Sequence, residues 1–305
     1  MNRRTFVRSA VGASGLSPVI SARLLAAEAD ETRAPSGANT PSAAVSEQQR
    51  QVAAEVHYLG FDTFGTVVDW RGSVIAEVKE LARQKGWDLD PVAFAEAWRA
   101  NYGPSRNRVR TGELPWTDLD ALHRMTLDDL LVGFGIEGLT EAEKVHLNKV
   151  WHRLHPWPDA PSGLARLRTR YILSPMSNGN VALLTEMAKF GGLPWDCVMG
   201  TDVVRHYKPD REMYLAPCEF FDLQPSQVML VAAHPGDLDS AKSFGLRTAY
   251  VHRPLERGPE AEPWDPPEAG RFDFIAMDFH DLASQMGIWG YPNQPDIGTR
   301  TFGLR

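Results

Sequence analysis

Residues 56–66 read VHYLGFDTFGT, an apolar run that stops abruptly on a carboxylate, Asp62. The run Val56–Phe61 predicts a buried strand. The residues that follow, Asp62-Thr63-Phe64-Gly65-Thr66, predict a turn. Gly65 relieves the steric restriction there, so that the backbone and the Thr66 hydroxyl can converge on the Asp62 carboxylate. An acidic side chain at the C-terminal end of a parallel strand stands where open α/β sheets place their ligands.

Working outward, residues 73–155 carry a helical pattern. Val74, Val78 and Leu81 repeat at helical spacing, as do Phe94 with Trp98 and Leu119, Leu122 and Met125. Thr140 with Glu143 predicts a capping box ahead of Val145 and Val150. This block contains no convincing strand and reads as an inserted helical cap. Tyr102-Gly103-Pro104 is expected to end the helix that carries Arg99, and Arg106, Arg108 and Arg110 are spaced like surface charges. His152 and His155 lack a ligand pattern and read as structural or solvent-exposed. Pro156, Pro158 and Pro161 mark the return to the main domain.

Beyond them helices and strands alternate. Helices are expected near Ser162–Leu167, Val181–Lys189, Arg211–Phe220 and Leu238–Phe244. Strands are expected at Tyr171–Leu173, Cys197–Met199, Val228–Ala232 and Thr248–Val251, with Phe274-Ile275-Ala276 as an edge strand. The fold class is therefore α/β: a doubly wound, mostly parallel, Rossmann-like sheet formed by residues 56–72 and 156–290 around the cap. Pro254–Gly270, rich in Pro and Glu, reads as a surface loop, and residues 291–305 as a tail.

The first 29 residues read differently. Arg3-Arg4, a short small-residue apolar run and Ala27-Glu28-Ala29 follow the order of a twin-arginine export signal, which predicts a periplasmic protein. A plain N-terminal extension on a cytoplasmic protein is the alternative. Ser17-Pro18 and Arg23 interrupt the apolar run, so it is not a stable membrane span. Residues 30–55, rich in Ala, Pro, Ser and Glu, read as a flexible linker. The net charge of -7, from 32 Lys and Arg against 39 Asp and Glu, excludes the basic surface of a nucleic-acid binder. Two cysteines, Cys197 and Cys218, make neither a disulfide framework nor a metal-ligand spacing.

Four polar clusters fall at predicted strand ends: Asp62 with Thr66, Ser177 with Asn178, Lys208, and Asp237. A single strand-end carboxylate is often only a helix cap, but four clusters on one sheet edge make a site. Lys208 is expected to hold Asp62 ionised, and Asp237 to position Lys208 or a water. Thr66, Ser177 and Asn178 are expected to donate hydrogen bonds to developing negative charge.

These segments resemble the haloacid dehalogenase superfamily and, within it, the type II (S)-2-haloacid dehalogenases. Phe61–Asp69 resembles the first motif, Met176-Ser177-Asn178-Gly179 the second, and His206-Tyr207-Lys208-Pro209-Asp210 with Tyr214 the third. Val231–Asp237 resembles the fourth. The resemblance spans roughly residues 56–255 and implies Asp62 as nucleophile, with Thr66, Ser177, Asn178, Lys208 and Asp237 around it. It implies Arg99, in the dipeptide Trp98-Arg99, as the group gripping the departing halide, and Tyr214 on the substrate side. Phe64, Trp98, Tyr214 and His234 are expected to line the substrate pocket. No metal or organic cofactor is implied. The partners implied are a small haloalkanoate and its halide, and a homodimer is admitted.

Position 64 bears on the reaction class. Phosphatases of the superfamily carry a second Asp there to protonate a leaving alcohol and serve catalysis around Mg²⁺. Phenylalanine can do neither, whereas a departing halide needs no proton. An Mg-dependent small-molecule phosphatase, which would have to use Asp237 and Asp239, stays open as an alternative. So do a hydrolase of another C2-activated carboxylate and a non-catalytic binding protein on the same scaffold. The fourth motif departs from the S-x-N-x-x-D of this group, with Ala232 and His234 in its first two places and Gly236 where an aromatic wall stands. His234 is expected to replace the asparagine as a donor and to influence the hydrolytic water. Trp70, Trp98, Tyr102, Trp151 and Trp157 suit an apolar closed pocket, and for Trp151 and Trp157 helix packing is the plainer reading.

Overall fold

Tyr58, Leu59 and Phe61 are sealed from solvent because strand β1 (Tyr58–Phe61) lies inside a parallel sheet and is covered on both faces. The computed structural model describes residues 45–290 except residue 263. The expected export segment, residues 1–29, and the tail, residues 291–305, lie outside the described residues. The sheet consists of β1, β4 (Ile172–Pro175), β5 (Val228–Ala232), β6 (Arg247–Val251) and β7 (Phe274–Ala276) in the order β4-β1-β5-β6-β7. Every pairing in it is parallel. Phe61 stands opposite Pro175 on one side and Val231 on the other, so β1, β4 and β5 end level with one another. The chain winds to one side of β1 first and then to the other. The C-terminal ends of β1 and β5 therefore flank the crevice where such sheets bind ligands.

Two expectations are corrected. The strand begins at Tyr58 rather than Val56, because the end of the expected linker is helical. Helix α1 (Glu47–Glu55) starts with a capping box: Ser46 accepts from the Gln49 N–H while the Gln49 side chain returns to the Ser46 N–H. Val52 and Ala53 are buried, which docks the helix onto the domain. The strand expected at Cys197–Met199 is reduced to a single bridge between Met176 and Met199. The ladder fails because the Asp196 side chain takes the Leu173 N–H at 3.0 Å, a donor a neighbouring strand would need. The remaining core helices are α7 (Ala160–Arg168), α8 (Val181–Gly191), α9 (Thr201–Val204), α10 (Arg211–Phe221), α11 (Pro235–Ser243) and α12 (Phe279–Gln285).

The cap consists of α2 (Trp70–Lys85), α3 (Pro91–Ala100), α4 (Tyr102–Arg110), α5 (Leu119–Gly133) and α6 (Glu141–Asn148), followed by a 3₁₀ turn at Lys149–His152. The helix carrying Arg99 does end before Tyr102, but a new one starts there, with Pro104 in its first turn, where a proline costs no hydrogen bond. The chain enters and leaves the cap through a short antiparallel ribbon of β2 (Val68–Asp69) and β3 (His155–Pro156), which was not foreseen. Apolar packing runs unbroken from Phe64, Val67 and Val68 in the core to Phe94, Trp98 and Trp151 in the cap.

Polar clamps close the same seam. Asp120 on α5 accepts from Asn180 Nδ2 at 3.0 Å and pairs with His152 Nε2 at 2.8 Å, while His152 Nδ1 reaches Glu186 of the core at 2.8 Å. Arg106 donates to the Lys208 carbonyl at 3.0 Å, and Arg110 pairs with Asp210. The arginines expected on the free surface are thus split: Arg108 pairs with exposed Glu113, while Arg106 and Arg110 fasten the cap to the loop that carries Lys208.

Candidate active site

Asp62 is the first residue beyond β1, and its N–H makes the last rung of the ladder to the Val231 carbonyl at 3.0 Å. The chain then doubles back. Val67 and Val68 both donate to the Thr63 carbonyl, and Gly65 sits at φ +87°. Only glycine fits there, since a Cβ would fall 2.1 Å from Glu256 Oε1 as well as strain the backbone. The tight turn returns Thr66 to Asp62. Its hydroxyl donates to Asp62 Oδ2 at 2.8 Å and accepts from the Ala233 N–H at 2.9 Å, linking the ends of β1 and β5.

Ser177 and Asn178 follow the end of β4, and His234 and Asp237 follow β5, whereas Lys208 arrives on the loop between α9 and α10, because the strand expected before it is only a single bridge. Lys208 Nζ lies 3.7 Å from Asp62 Oδ1 and is hydrogen-bonded to Asp237 Oδ2. The Lys208 N–H donates to Asn178 Oδ1 at 2.8 Å, so Asn178 serves here to lock the loop carrying the lysine. Ser177 is fully buried, and its hydroxyl has no partner among the described residues. His234 Nδ1 lies 2.8 Å from Asp62 Oδ2, the carboxylate oxygen that Thr66 also holds. Its Nε2 lies 2.9 and 3.0 Å from the two oxygens of Glu256.

Burial would push the Asp62 carboxyl up. The Lys208 charge, the His234 hydrogen bond and charge, and the Thr66 hydroxyl outweigh it and hold the group below the usual carboxylate range. Burial would equally push the His234 imidazole down, but hydrogen bonds and charge from Asp62 and Glu256 raise it to about 10. In the resting site Asp62 is therefore an anion and His234 a cation.

Two residues expected to line the pocket do something else. Tyr214 is fully buried and donates to Asp237 Oδ1 at 2.7 Å, so it braces the partner of Lys208. Trp98 is sealed inside the cap, its indole N–H donating to the His123 carbonyl at 3.1 Å and its ring packed edge-on to Phe94 and Trp151. Arg99 lies with its guanidinium 4.1 Å from the Tyr102 ring centre and 5.1 Å from Trp70. Phe64 packs edge-on to Tyr102 and Trp151, which joins the Asp62 turn to that aromatic cluster. Asp239 faces away from the site and pairs with Arg271 at 2.7 Å, which removes one of the two aspartates a phosphatase metal site would use.

Glu256 and Arg253 were missed. Arg253 donates to the Thr66 carbonyl at 2.8 Å and grips both oxygens of Asp159 at 2.8 and 2.9 Å. Both residues follow the C-terminal end of β6, the same sheet edge as the four motifs. Their position was the available signal, but the Pro- and Glu-rich composition around Glu256 masked it.

A model of the haloacid dehalogenase-like hydrolases matches residues 57–245. Among solved structures the chain is similar to a defluorinating L-2-haloacid dehalogenase, 43% identical with a TM-score of 0.73, covering 76% of this chain and 95% of that one. It is also similar to an L-2-haloacid dehalogenase, 44% identical with a TM-score of 0.72, covering 76% and 98%. A further relative is (S)-2-haloacid dehalogenase 1 of Pseudomonas sp. strain CBS-3, 28% identical over 204 residues, 63% of this chain and 83% of that protein.

The raised His234 pKa carries a stability signature. Folded protein keeps a proton that the unfolded chain releases above pH 6.5, so the contribution is complete below 6.5 and is lost as pH rises through about 10. Solvent reaches 37% of the side chain, which screens the effect. Denaturant unfolding of wild type and His234→Gln, followed from pH 6.5 to 10, should show the wild type losing stability relative to the variant. Parallel curves would mean that the ring is not protonated in the folded state.

Proposed function

Since this chain belongs to the haloacid dehalogenase-like hydrolases, we propose that it hydrolyses small (S)-2-haloalkanoic acids to (R)-2-hydroxy acids through an ester on Asp62. The observation that carries this reading is an ionised Asp62 held by Lys208, Thr66 and His234 beside a buried phenylalanine at position 64. The site offers a strong nucleophile, and Phe64 has no proton to give a leaving alcohol. That combination suits a leaving group that departs as a stable anion.

In the first step Asp62 Oδ1, the oxygen that Thr66 and His234 do not hold, attacks C2 from the side opposite the halogen. The C–O bond forms as the C–halogen bond breaks, and the carbon inverts. The halide leaves toward the cap, where the Arg99 guanidinium supplies positive charge. Ser177, buried with a free hydroxyl, is the donor we assign to the substrate carboxylate, together with backbone N–H groups beside it.

The ester changes the electrostatics of its neighbour. Once Asp62 is alkylated, its negative charge is gone, and with it the largest interaction that keeps His234 protonated. The ring sheds its proton to solvent through its exposed edge, and Nδ1 is left facing the ester. A water attacking Asp62 Cγ gives its proton to Nδ1 while Glu256 holds Nε2–H. Collapse of the tetrahedral intermediate expels the 2-alkoxide, which takes that proton from His234, and the second proton of the water, left on the Asp62 carboxyl, passes to His234 Nδ1 and restores the carboxylate–imidazolium pair. Nucleophile and base are thus switched on in turn by one charge.

Wild-type enzyme in EDTA should release chloride from chloroacetate and from (S)-2-chloropropionate, giving (R)-lactate from the latter. No turnover of any 2-haloacid, together with Mg²⁺-dependent phosphate release from small esters, would replace this reading with a phosphatase. For the second step, Glu256→Gln should keep a stoichiometric burst of chloride while steady turnover falls by about a hundredfold, the usual worth of a positioned base. Loss of the burst itself would place Glu256 in the alkylation step instead.

A further inference from the structure

Arg253 is the second residue beyond β6, 6% exposed, and its hydrogen bonds go to neither Asp62 nor Lys208. Its guanidinium joins three segments instead. Nε donates to the Thr66 carbonyl at 2.8 Å, and the two Nη atoms take the two oxygens of Asp159, the residue that precedes α7. The guanidinium lies 4.7 Å from the Phe279 ring centre and 5.8 Å from that of Trp157. Asp159 is itself fixed, since its Oδ2 also accepts from the Phe279 N–H at 2.9 Å. Burial opposes the charge on Asp159, but the hydrogen bonds and charge of Arg253 hold its carboxyl below the usual range.

A peptide unit is planar, so a donor that pins a carbonyl pins the whole plane. Three consecutive carbonyls of the Asp62 turn are pinned from outside it. Gly65 accepts from the Trp157 indole N–H at 2.9 Å, Thr66 from Arg253, and Val67 from the Trp157 backbone N–H at 2.9 Å. The planes on both sides of Thr66 are therefore held, which fixes its φ and ψ and with them the direction of its Cβ. The hydroxyl on that Cβ is the one that holds Asp62 Oδ2. The same arginine opens the turn that carries Glu256, whose N–H donates to the Arg253 carbonyl at 3.1 Å. Glu256 then meets His234 across the bare Cα of Gly65.

Stability alone does not account for this arrangement. A buried ion pair stabilises a fold only weakly, and apolar side chains of similar volume often replace one without loss. The pair with Asp159 would not call for a third, directed bond to a backbone carbonyl. A guanidinium serves both partners because its donors form a rigid planar fork, whereas an ammonium is a single point charge.

We propose that Arg253 is a positioning residue for both chemical steps: through Thr66 it keeps Asp62 Oδ1 turned to the substrate, and through its own loop it keeps Glu256 on His234. The proposal rests on the ester reading above and adds to it the residue that sets the partners of Asp62 and His234 in register. Arg253 touches no reacting atom. Its effect passes through two pinned peptide planes on one side and one tight turn on the other.

Single turnovers of (S)-2-chloropropionate with saturating, excess enzyme read the steps separately, alkylation as chloride release and ester hydrolysis as lactate release. In Arg253→Lys both rates should fall by about tenfold, the worth of one hydrogen bond to a charged group, with half-saturation unchanged. The acid limb of chloride release should move up by about one pH unit, because an Asp62 that loses the Thr66 hydroxyl is easier to protonate. Trp157→Phe frees the Gly65 carbonyl but leaves the Glu256 loop, so it should slow chloride release and not lactate release. Asp159→Asn loosens the fork with Arg253 in place and should repeat the lysine pattern in weaker form, which decides the matter if Arg253→Lys does not fold. Thermal melts confirm folding. Folded variants with both rates within twofold of wild type and an unmoved acid limb would make Arg253 purely structural and overturn the proposal. Slow lactate release with normal chloride release in Arg253→Lys, or a change in half-saturation alone, would also overturn it. A wild type that releases no halide from any 2-haloacid would instead refute the ester reading.

Discussion

The ammonium of Lys208, set between Asp62 and Asp237, is the interaction on which the rest of the site depends. A carboxylate sealed at a sheet edge would either take up a proton or cost several kcal/mol, roughly the penalty for an unmatched buried ion. It stays ionised because a cation, an imidazolium and a hydroxyl reach it from three chain segments, and no single segment could provide all three. The parallel sheet makes that possible by ending β1, β4 and β5 at one level, so that residues more than a hundred positions apart meet at one carboxylate. On the proposed reading the same burial would make Asp62 reactive, since Thr66 and His234 both bond Oδ2 while Oδ1 is held only by the Lys208 charge at 3.7 Å.

The lysine is held from both domains. Asn178 takes its backbone N–H and Arg106 of the cap donates to its carbonyl, so the cap fastens directly onto the loop whose lysine faces Asp62. The second clamp, Asp120 between Asn180 and His152, sits beside the same Ser177–Asn178 loop. Cap docking and the electrostatics of Asp62 are thus one structural event, and the aromatic cluster around Phe64 is positioned by the same contacts. Pairing His234 with both Asp62 and Glu256 adds a further economy on the proposed reading, because the charge that alkylation would consume is the one that holds the imidazole protonated.

Much of this was legible in the chain. β5 and β7 fall on the expected residues, and the expected helices recur to within a few residues of their ends, because apolar runs bounded by turn residues report burial directly. Asp62, Thr66 and Asp237 were legible for the same reason, each a polar group placed at or near the end of such a run, whereas Lys208 reaches the site on the loop between α9 and α10. What stayed hidden depends on partners distant in sequence. Glu256 acquires its role only through His234 and the glycine at position 65, and its position just after β6 is masked by the Pro- and Glu-rich stretch around it. Tyr214 and Trp98 were assigned to the pocket by resemblance, but the structure turns one to Asp237 and the other into the cap interior. The missing strand at Cys197–Met199 failed for a local reason, a side chain at Asp196 competing for a backbone donor.

The central claim is that Asp62 forms a covalent bond to C2, and the fate of its oxygens tests that most directly. A single turnover of (S)-2-chloropropionate with excess enzyme in ¹⁸O-labelled water separates the two routes. If water attacks the Asp62 ester, solvent oxygen enters the carboxylate and an original carboxylate oxygen leaves as the hydroxyl of lactate. The peptide containing Asp62 should then gain one ¹⁸O while the first lactate released carries none. Labelled lactate on the first turnover, with an unlabelled Asp62 peptide, would mean that water attacked C2 directly and that Asp62 is not the nucleophile.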